Sequence, residues 1–145
     1  MIAVDTNILV YAFREDSKFH ANAWAALSML AEGSEPWALP WVCVHEFVSV
    51  VTNKKIYTDP APLTAAFDFI DPLFTSPSLL LLSEQGAYWS TFEELCHSAK
   101  LSGPSIHDAR IAALCLSHGV KTLLSADRDF QKFPKLQTKN PLINS

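Results

Sequence analysis

The chain of 145 residues has the usual length of one compact domain, and we predict that residues 1–145 form a single domain. Hydrophobic residues make up 49% and charged residues 18%, which argues against disorder, and no apolar stretch is long enough to span a membrane. The net charge of −4 argues against binding nucleic acid through bulk positive charge.

Glycine and cysteine usage excludes further classes. The four glycines are far apart, so the chain has neither G-x-G-x-x-G nor a Walker phosphate loop. The three cysteines are odd in number and form no close pair, which argues against a disulfide framework or a cysteine zinc site. The first acid, Asp5, comes too early for the apolar part of a signal peptide. We therefore expect a cytoplasmic protein.

Apolar residues predict short strands that alternate with helices. In chain order we predict a strand at 1–4, helices at 7–13 and 19–30, a strand at 36–41, helices at 42–53 and 62–74, a strand at 78–82, helices at 88–99 and 105–118, a strand at 120–125 and an edge strand at 138–143. Gly33 and Gly119 stand where helices end, and Pro72 predicts a kink or an end. This alternation is typical of an α/β fold with a mostly parallel sheet.

Two acids follow predicted strands closely. Asp5 comes directly after the first strand, and Asp127 comes two residues after Ser125, where a later strand ends. In parallel α/β sheets, ligands bind beyond the carboxyl ends of the strands, so both acids are candidates for a functional site. Each taken alone is explained more simply as the cap of the following helix.

Two further acids lie in early helix turns. Glu46 shares an apolar helix face with Val42, where an unpaired carboxylate is costly, so it either has a basic or backbone partner or serves a function. Asp108 shares an inward face with Ile111, but it also completes a capping box with Ser105, which alone is the simpler explanation.

Taken together, the four acids predict a metal site. Helix N-termini follow strand carboxyl ends in such folds, so one crevice gathers Asp5, Glu46, Asp108 and Asp127. Four carboxylates repel one another unless a cation binds them, and oxygen donors favour Mg²⁺, or Mn²⁺. Zinc is disfavoured because His45 lacks the second histidine of H-E-x-x-H, and no EF-hand loop is present for calcium. Mg²⁺ held by acids suits phosphodiester chemistry.

Four segments in order resemble the motifs of PIN-domain ribonucleases, and among them the VapC-type toxins of toxin–antitoxin pairs. They are IAVDTNIL at 2–9, VHEF at 44–47, HDARIAA at 107–113 and LSADRDF at 124–130. The resemblance covers nearly the whole chain. It implies a three-layer α/β/α fold with a central, mostly parallel sheet.

The resemblance also implies the activity and the partners. It implies a Mg²⁺-dependent endoribonuclease, a homodimer, and a VapB-like antitoxin whose tail enters the acidic groove. The four acids would bind Mg²⁺, with Thr6 or Asn7, and Ser125, orienting them through hydrogen bonds. Asp129 is a possible fifth acid, although we favour a turn role for it. The proline-rich segment 57–77 is where substrate choice would be made.

Four basic side chains are candidates for contacts with RNA phosphates: Arg110, Arg128, Lys132 and Lys135. For the two lysines we favour a solvated surface role. Two other functions remain open at this point. One is a PIN-like binding module without catalysis. The other is an aspartyl phosphatase of the haloacid-dehalogenase kind with Asp5 as nucleophile, although Asn7 stands where that chemistry wants a second acid.

Overall fold

A five-stranded parallel sheet forms the centre of the computed structural model, which describes residues 1–143. The strands are β1 (Ile2–Val4), β2 (Trp37–Pro40), β3 (Leu79–Leu82), β4 (Thr122–Leu124) and β5 (Gln137–Lys139). Their order is β3-β2-β1-β4-β5, and every neighbouring pair is parallel. The central position of β1 places its carboxyl end in the middle of one sheet edge.

Six α-helices connect the strands in the described part of the chain. They are α1 (Thr6–Phe13), α2 (His20–Glu32), α3 (Trp41–Val51), α4 (Leu63–Ile70), α5 (Tyr88–Ser98) and α6 (Ile106–Ser117). Three short 3₁₀ helices lie at Asp71–Thr75, Gly103–Ser105 and Arg128–Lys132. Within residues 1–143, none of the helices combines the length and apolarity needed to cross a membrane.

The sheet separates two hydrophobic clusters, because successive side chains of a strand point to opposite faces. On β1, Ala3 packs into the cluster that contains α5 and α6, whereas Val4 packs into the cluster that contains α1 to α4. On β4, Leu123 and Leu124 divide in the same way. Helices therefore cover both faces of the sheet, and the predicted three-layer α/β fold with a parallel sheet is confirmed.

Most predicted elements are displaced by one or two residues at their ends, and two have larger errors, for which proline is the cause. The predicted helix at 62–74 ends at Ile70 and continues as a 3₁₀ helix that has Pro72 in its first turn. The predicted edge strand at 138–143 lies at the sheet edge but spans Gln137–Lys139. It stops there because Pro141 has no N–H to donate and the Asn140 side chain accepts the backbone N–H of Leu142, which forms a turn.

Candidate active site

A cavity of about 350 Å³ opens beyond the carboxyl ends of β1 and β4. All four predicted acids line it: Asp5, Glu46, Asp108 and Asp127. Apolar and aromatic side chains complete part of the wall: Val10, Tyr11, Val50, Ile56 and Tyr57. The lining of the cavity therefore combines acidic side chains with an apolar and aromatic part.

Asp5 is the buried centre of the acidic side, with 5% of its surface exposed. It caps α1, since its Oδ1 accepts the Thr6 backbone N–H at 2.8 Å. Its Oδ2 accepts the Ser125 hydroxyl at 2.7 Å and the Asn7 amide at 3.3 Å. The simple expectation of a helix cap is thus met, and the same carboxylate also faces the cavity.

Asn7 and Ser125 join the ends of β1 and β4. The Asn7 Nδ2 also donates to Ser125 Oγ at 3.3 Å, and Asn7 Oδ1 accepts the Ala126 backbone N–H at 3.2 Å. Ser125 Oγ accepts the backbone N–H of Asp127 at 3.0 Å. These bonds fix Asp5 relative to Asp127, which is the orienting role that the family resemblance implies for Asn7 and Ser125.

Burial raises the pKa of the Asp5 carboxyl from 3.8 to about 6. The hydrogen bonds from Ser125 and Thr6 lower it, and the charges of Glu46 and Asp127 raise it further. A cation beside this group would favour its ionised form. Behind it, the Cys43 thiol lies 3.7 Å from Asp5 Oδ1, and burial followed by the Asp5 charge raises the pKa of that thiol well above its usual value.

Glu46 differs from its expected setting. Cys43, which lies three residues earlier on α3, is buried, but the Glu46 side chain is exposed at the rim of the cavity. Within residues 1–143 it has no ion pair with a basic side chain. The basic partner that was one of the two expectations for Glu46 is therefore not found among the residues that the structure describes, and Glu46 lines the cavity together with Val50 of the same helix.

The capping box at Asp108 does not form. A 3₁₀ helix precedes α6, so Ser105 already has helical backbone angles and its hydroxyl donates to the carbonyl of Ser102. Asp108 Oδ2 instead accepts Lys132 Nζ at 2.9 Å. The expected surface role of Lys132 is wrong as well, since 26% of its side chain is exposed.

The remaining predicted residues lie around this centre. Asp127 caps the 3₁₀ helix Arg128–Lys132 by accepting the backbone N–H of Asp129 at 2.8 Å. Asp129 is exposed and does not line the cavity. Arg110 pairs with Glu84 at 2.7 Å. Arg128 is exposed, and Lys135 pairs with Glu94 on the open surface.

Sequence reasoning missed how the apolar wall is held. Arg14 lies 4.0 Å above the ring of Tyr57 and donates to the backbone carbonyl of Asp59 at 2.9 Å. It also forms an ion pair with Asp16 at 2.7 Å. These contacts attach the segment after α3 to the end of α1. No periodic pattern in the sequence predicts these contacts. The one feature that could have indicated them is an isolated arginine directly after an apolar helix.

The donor chemistry fits a hard divalent cation, since four carboxylates surround one cavity and the buried one favours a counter-charge. In the part of the chain that the structure describes, no three histidine, cysteine or acidic side chains already stand close enough to hold an ion together. Glu46 is exposed and Asp108 is paired with Lys132, so one ion shared by all four acids would require these two side chains to move.

Comparison with known proteins agrees with this architecture. A family model described as PIN domain matches residues 2–136. The chain therefore belongs to the PIN domain family.

Individual relatives span nearly the whole chain. Ribonuclease VapC43 of Mycobacterium tuberculosis is 37% identical over 142 residues, which cover 98% of this chain and 96% of the relative. Among solved structures, VapBC2 from Rickettsia felis bound to a promoter DNA fragment has a TM-score of 0.68 at 21% identity, covering 97% of this chain and 98% of the other. VapC20 of Mycobacterium tuberculosis, a Sarcin-Ricin loop cleaving toxin, has a TM-score of 0.63 at 14% identity, with coverage of 90% and 93%. At these identities the two structures support the fold alone.

Proposed function

We propose that this protein is a metal-dependent endoribonuclease and the toxin of a VapBC-type toxin–antitoxin pair. The observation that carries the proposal is the gathering of Asp5, Glu46, Asp108 and Asp127 around one cavity at the strand ends. The name of the relative at 37% identity, a VapC ribonuclease, supports the choice of RNA as substrate.

The four carboxylates would hold Mg²⁺, with Mn²⁺ as a substitute. When bound, the ion supplies Lewis-acid chemistry that lowers the pKa of water and neutralises charge on the phosphodiester. Asn7 and Ser125 hold Asp5 in place, so the buried acid does not reorganise during the reaction. The reaction adds water across the P–O3′ bond of RNA and leaves a 5′-phosphate and a 3′-hydroxyl.

The apolar wall gives this cavity a second kind of contact surface. Tyr57 and Ile56 belong to the segment that follows α3, near the start of the region in which we expect substrate choice. Arg14 covers one face of the Tyr57 ring and fixes it against the cavity. A ribose or base next to the scissile phosphate would pack against this wall, while the phosphate faces the acids.

The proposal extends to partners and location. A VapB-like antitoxin would cover the acidic cavity, and the VapBC2 complex from Rickettsia felis, which this chain resembles in fold, supports such a partner. We further propose a homodimer in the cytoplasm, where the three free cysteines of the chain stay reduced.

Neither alternative has a specific observation in its favour. The phosphatase needs an acid at the position of Asn7, but the Asn7 amide is used to hold Asp5 and Ser125. A binding module without catalysis would retain cation binding and show no cleavage.

The test is RNA cleavage in Mg²⁺ by the wild type, Asp5→Asn and Asp129→Asn. We expect Asp5→Asn to lose roughly a hundredfold or more in rate, since it removes a charge from the site. Asp129→Asn is the matched control, because Asp129 is an exposed acid on a neighbouring turn outside the cavity. Undiminished cleavage by Asp5→Asn, or equal losses in both variants, would refute the assignment.

A further inference from the structure

Lys132 forms an ion pair with one of the proposed metal-binding acids, and the proposed reaction gives this lysine no role. Its Nζ lies 2.9 Å from Asp108 Oδ2, and the side chains of the two residues are 26% and 21% exposed. Its ammonium also lies 5.6 Å from the centre of the Phe133 ring. The pair is therefore partly shielded from water, and it involves one of the four acids that line the cavity.

The fold fixes the place of Lys132. It is the last residue of the 3₁₀ helix Arg128–Lys132, whose first turn is capped by the cavity acid Asp127. Phe130 and Phe133 are each 1% exposed and anchor this short helix in the cluster that contains α6. This short helix is thus capped at its start by Asp127 and ends at Lys132, whose ammonium contacts Asp108.

Lys135 shows what an ordinary surface pair looks like in the same region. Its Nζ lies 3.2 Å from Glu94, and the two side chains are 72% and 63% exposed. Such pairs contribute little because water and salt screen them. The Lys132–Asp108 pair is shorter and less exposed, so its attraction is screened less.

A divalent cation ligated by Asp108 would share one carboxylate with the Lys132 ammonium, which already occupies Oδ2 of that group. The two positive charges also repel each other at that distance. Binding of the cation to Asp108 therefore opposes the ion pair, and the anchored 3₁₀ helix keeps the displaced ammonium beside the cavity.

We propose that Lys132 is a positioning residue that competes with the divalent cation for Asp108 and, when displaced, binds the backbone phosphate of the RNA substrate. This inference rests on the proposed function, because it concerns the same four acids. It assigns opposite effects to one side chain: Lys132 weakens cation binding and strengthens RNA binding. A lysine with only a structural role would not produce that combination.

The test measures Mn²⁺ binding by isothermal titration calorimetry in Lys132→Met, with Lys135→Met as the matched control. We expect Lys132→Met to bind Mn²⁺ roughly fivefold to tenfold more tightly, since a competing charge is removed. Lys135→Met should bind like the wild type. Lys132→Gln, which keeps a polar side chain without the charge, should show the same tightening if the methionine variant folds poorly.

The second arm measures RNA cleavage at saturating Mn²⁺ over a range of salt concentrations. We expect kcat/KM of Lys132→Met to fall and its salt dependence to become shallower by about one phosphate contact, a change in logarithmic slope of roughly 0.7. Equal or weaker Mn²⁺ binding by both Lys132 variants would overturn the inference while leaving the proposed function intact. Absence of Mn²⁺ binding by the wild type would instead refute the proposed function, and the inference with it.

Discussion

Replacing Asp5 with asparagine should stabilise the protein in the absence of divalent cations, although it removes a residue of the proposed site. Burial raises the pKa of this carboxyl from 3.8 to about 6. A group whose pKa is higher in the folded state favours folding when protonated, and this contribution is lost as the pH rises through the folded-state pKa. The metal-free wild type should therefore lose stability between about pH 4 and pH 7.

The magnitude follows from the shift. A difference of about 2 pKa units corresponds to about 3 kcal/mol in the free energy of unfolding, and about two-thirds of it, roughly 2 kcal/mol, is lost between about pH 4.5 and pH 7.5. The amide side chain of the variant would still accept the Thr6 N–H, but its NH₂ group in place of Oδ2 would accept neither the Ser125 hydroxyl nor the Asn7 amide. Subtracting about 2 kcal/mol for these two bonds leaves a net gain of about 1 kcal/mol for Asp5→Asn near pH 7.5.

The assay is urea unfolding of the wild type and Asp5→Asn in EDTA at about pH 4.5 and about pH 7.5. Comparing the two proteins cancels the titration of the other acids. We expect the advantage of Asp5→Asn to grow by roughly 2 kcal/mol between the two pH values, and Mg²⁺ to stabilise only the wild type. A difference that is independent of pH, or a variant less stable than the wild type near pH 7.5, would refute the reasoning about burial.

Three further predictions concern a hydrogen bond to Asp5, the contacts of Arg14 and the requirement for a metal ion. Ser125→Ala removes the shortest hydrogen bond to Asp5, so Mn²⁺ affinity should fall roughly tenfold to a hundredfold in calorimetry, whereas an unchanged affinity would contradict the orienting role. Arg14→Ala removes the contacts to Tyr57 and to the carbonyl of Asp59, so the free energy of unfolding should fall by about 1 kcal/mol and KM for RNA should rise, with Arg14→Lys in between. Adding EDTA to the wild type should abolish cleavage, and excess Mg²⁺ should restore it; cleavage that persists in EDTA would argue against the metal.

Much of the fold follows from local sequence patterns. The apolar runs before Asp5 and before Ser125 predicted two of the central strands, and the spacing of apolar residues predicted the helices on both faces. Boundaries were less predictable where proline or a side-chain turn competes with the regular element, as at Pro72 and Asn140. At these points a single missing or extra hydrogen bond decides where the element ends.

In the candidate site, too, some features were predictable from the sequence and others were not. The convergence of the four acids was predictable, because parallel strands bring their carboxyl ends to one edge. The partners of individual acids were not predictable. Ser105 does not cap α6, since it lies in a 3₁₀ turn, and Asp108 instead contacts Lys132 across a separation of 24 residues. Such contacts depend on tertiary packing, here on the anchoring of one short turn by Phe130.

The products of the reaction decide whether the four acids support metal-dependent hydrolysis of RNA. RNA should be cleaved in Mg²⁺ by the wild type and not in EDTA, and end-group analysis should find 5′-phosphates and 3′-hydroxyls. Cleavage that survives EDTA would contradict the metal requirement, and products that end in 2′,3′-cyclic phosphates would show that the RNA 2′-hydroxyl attacks in place of water.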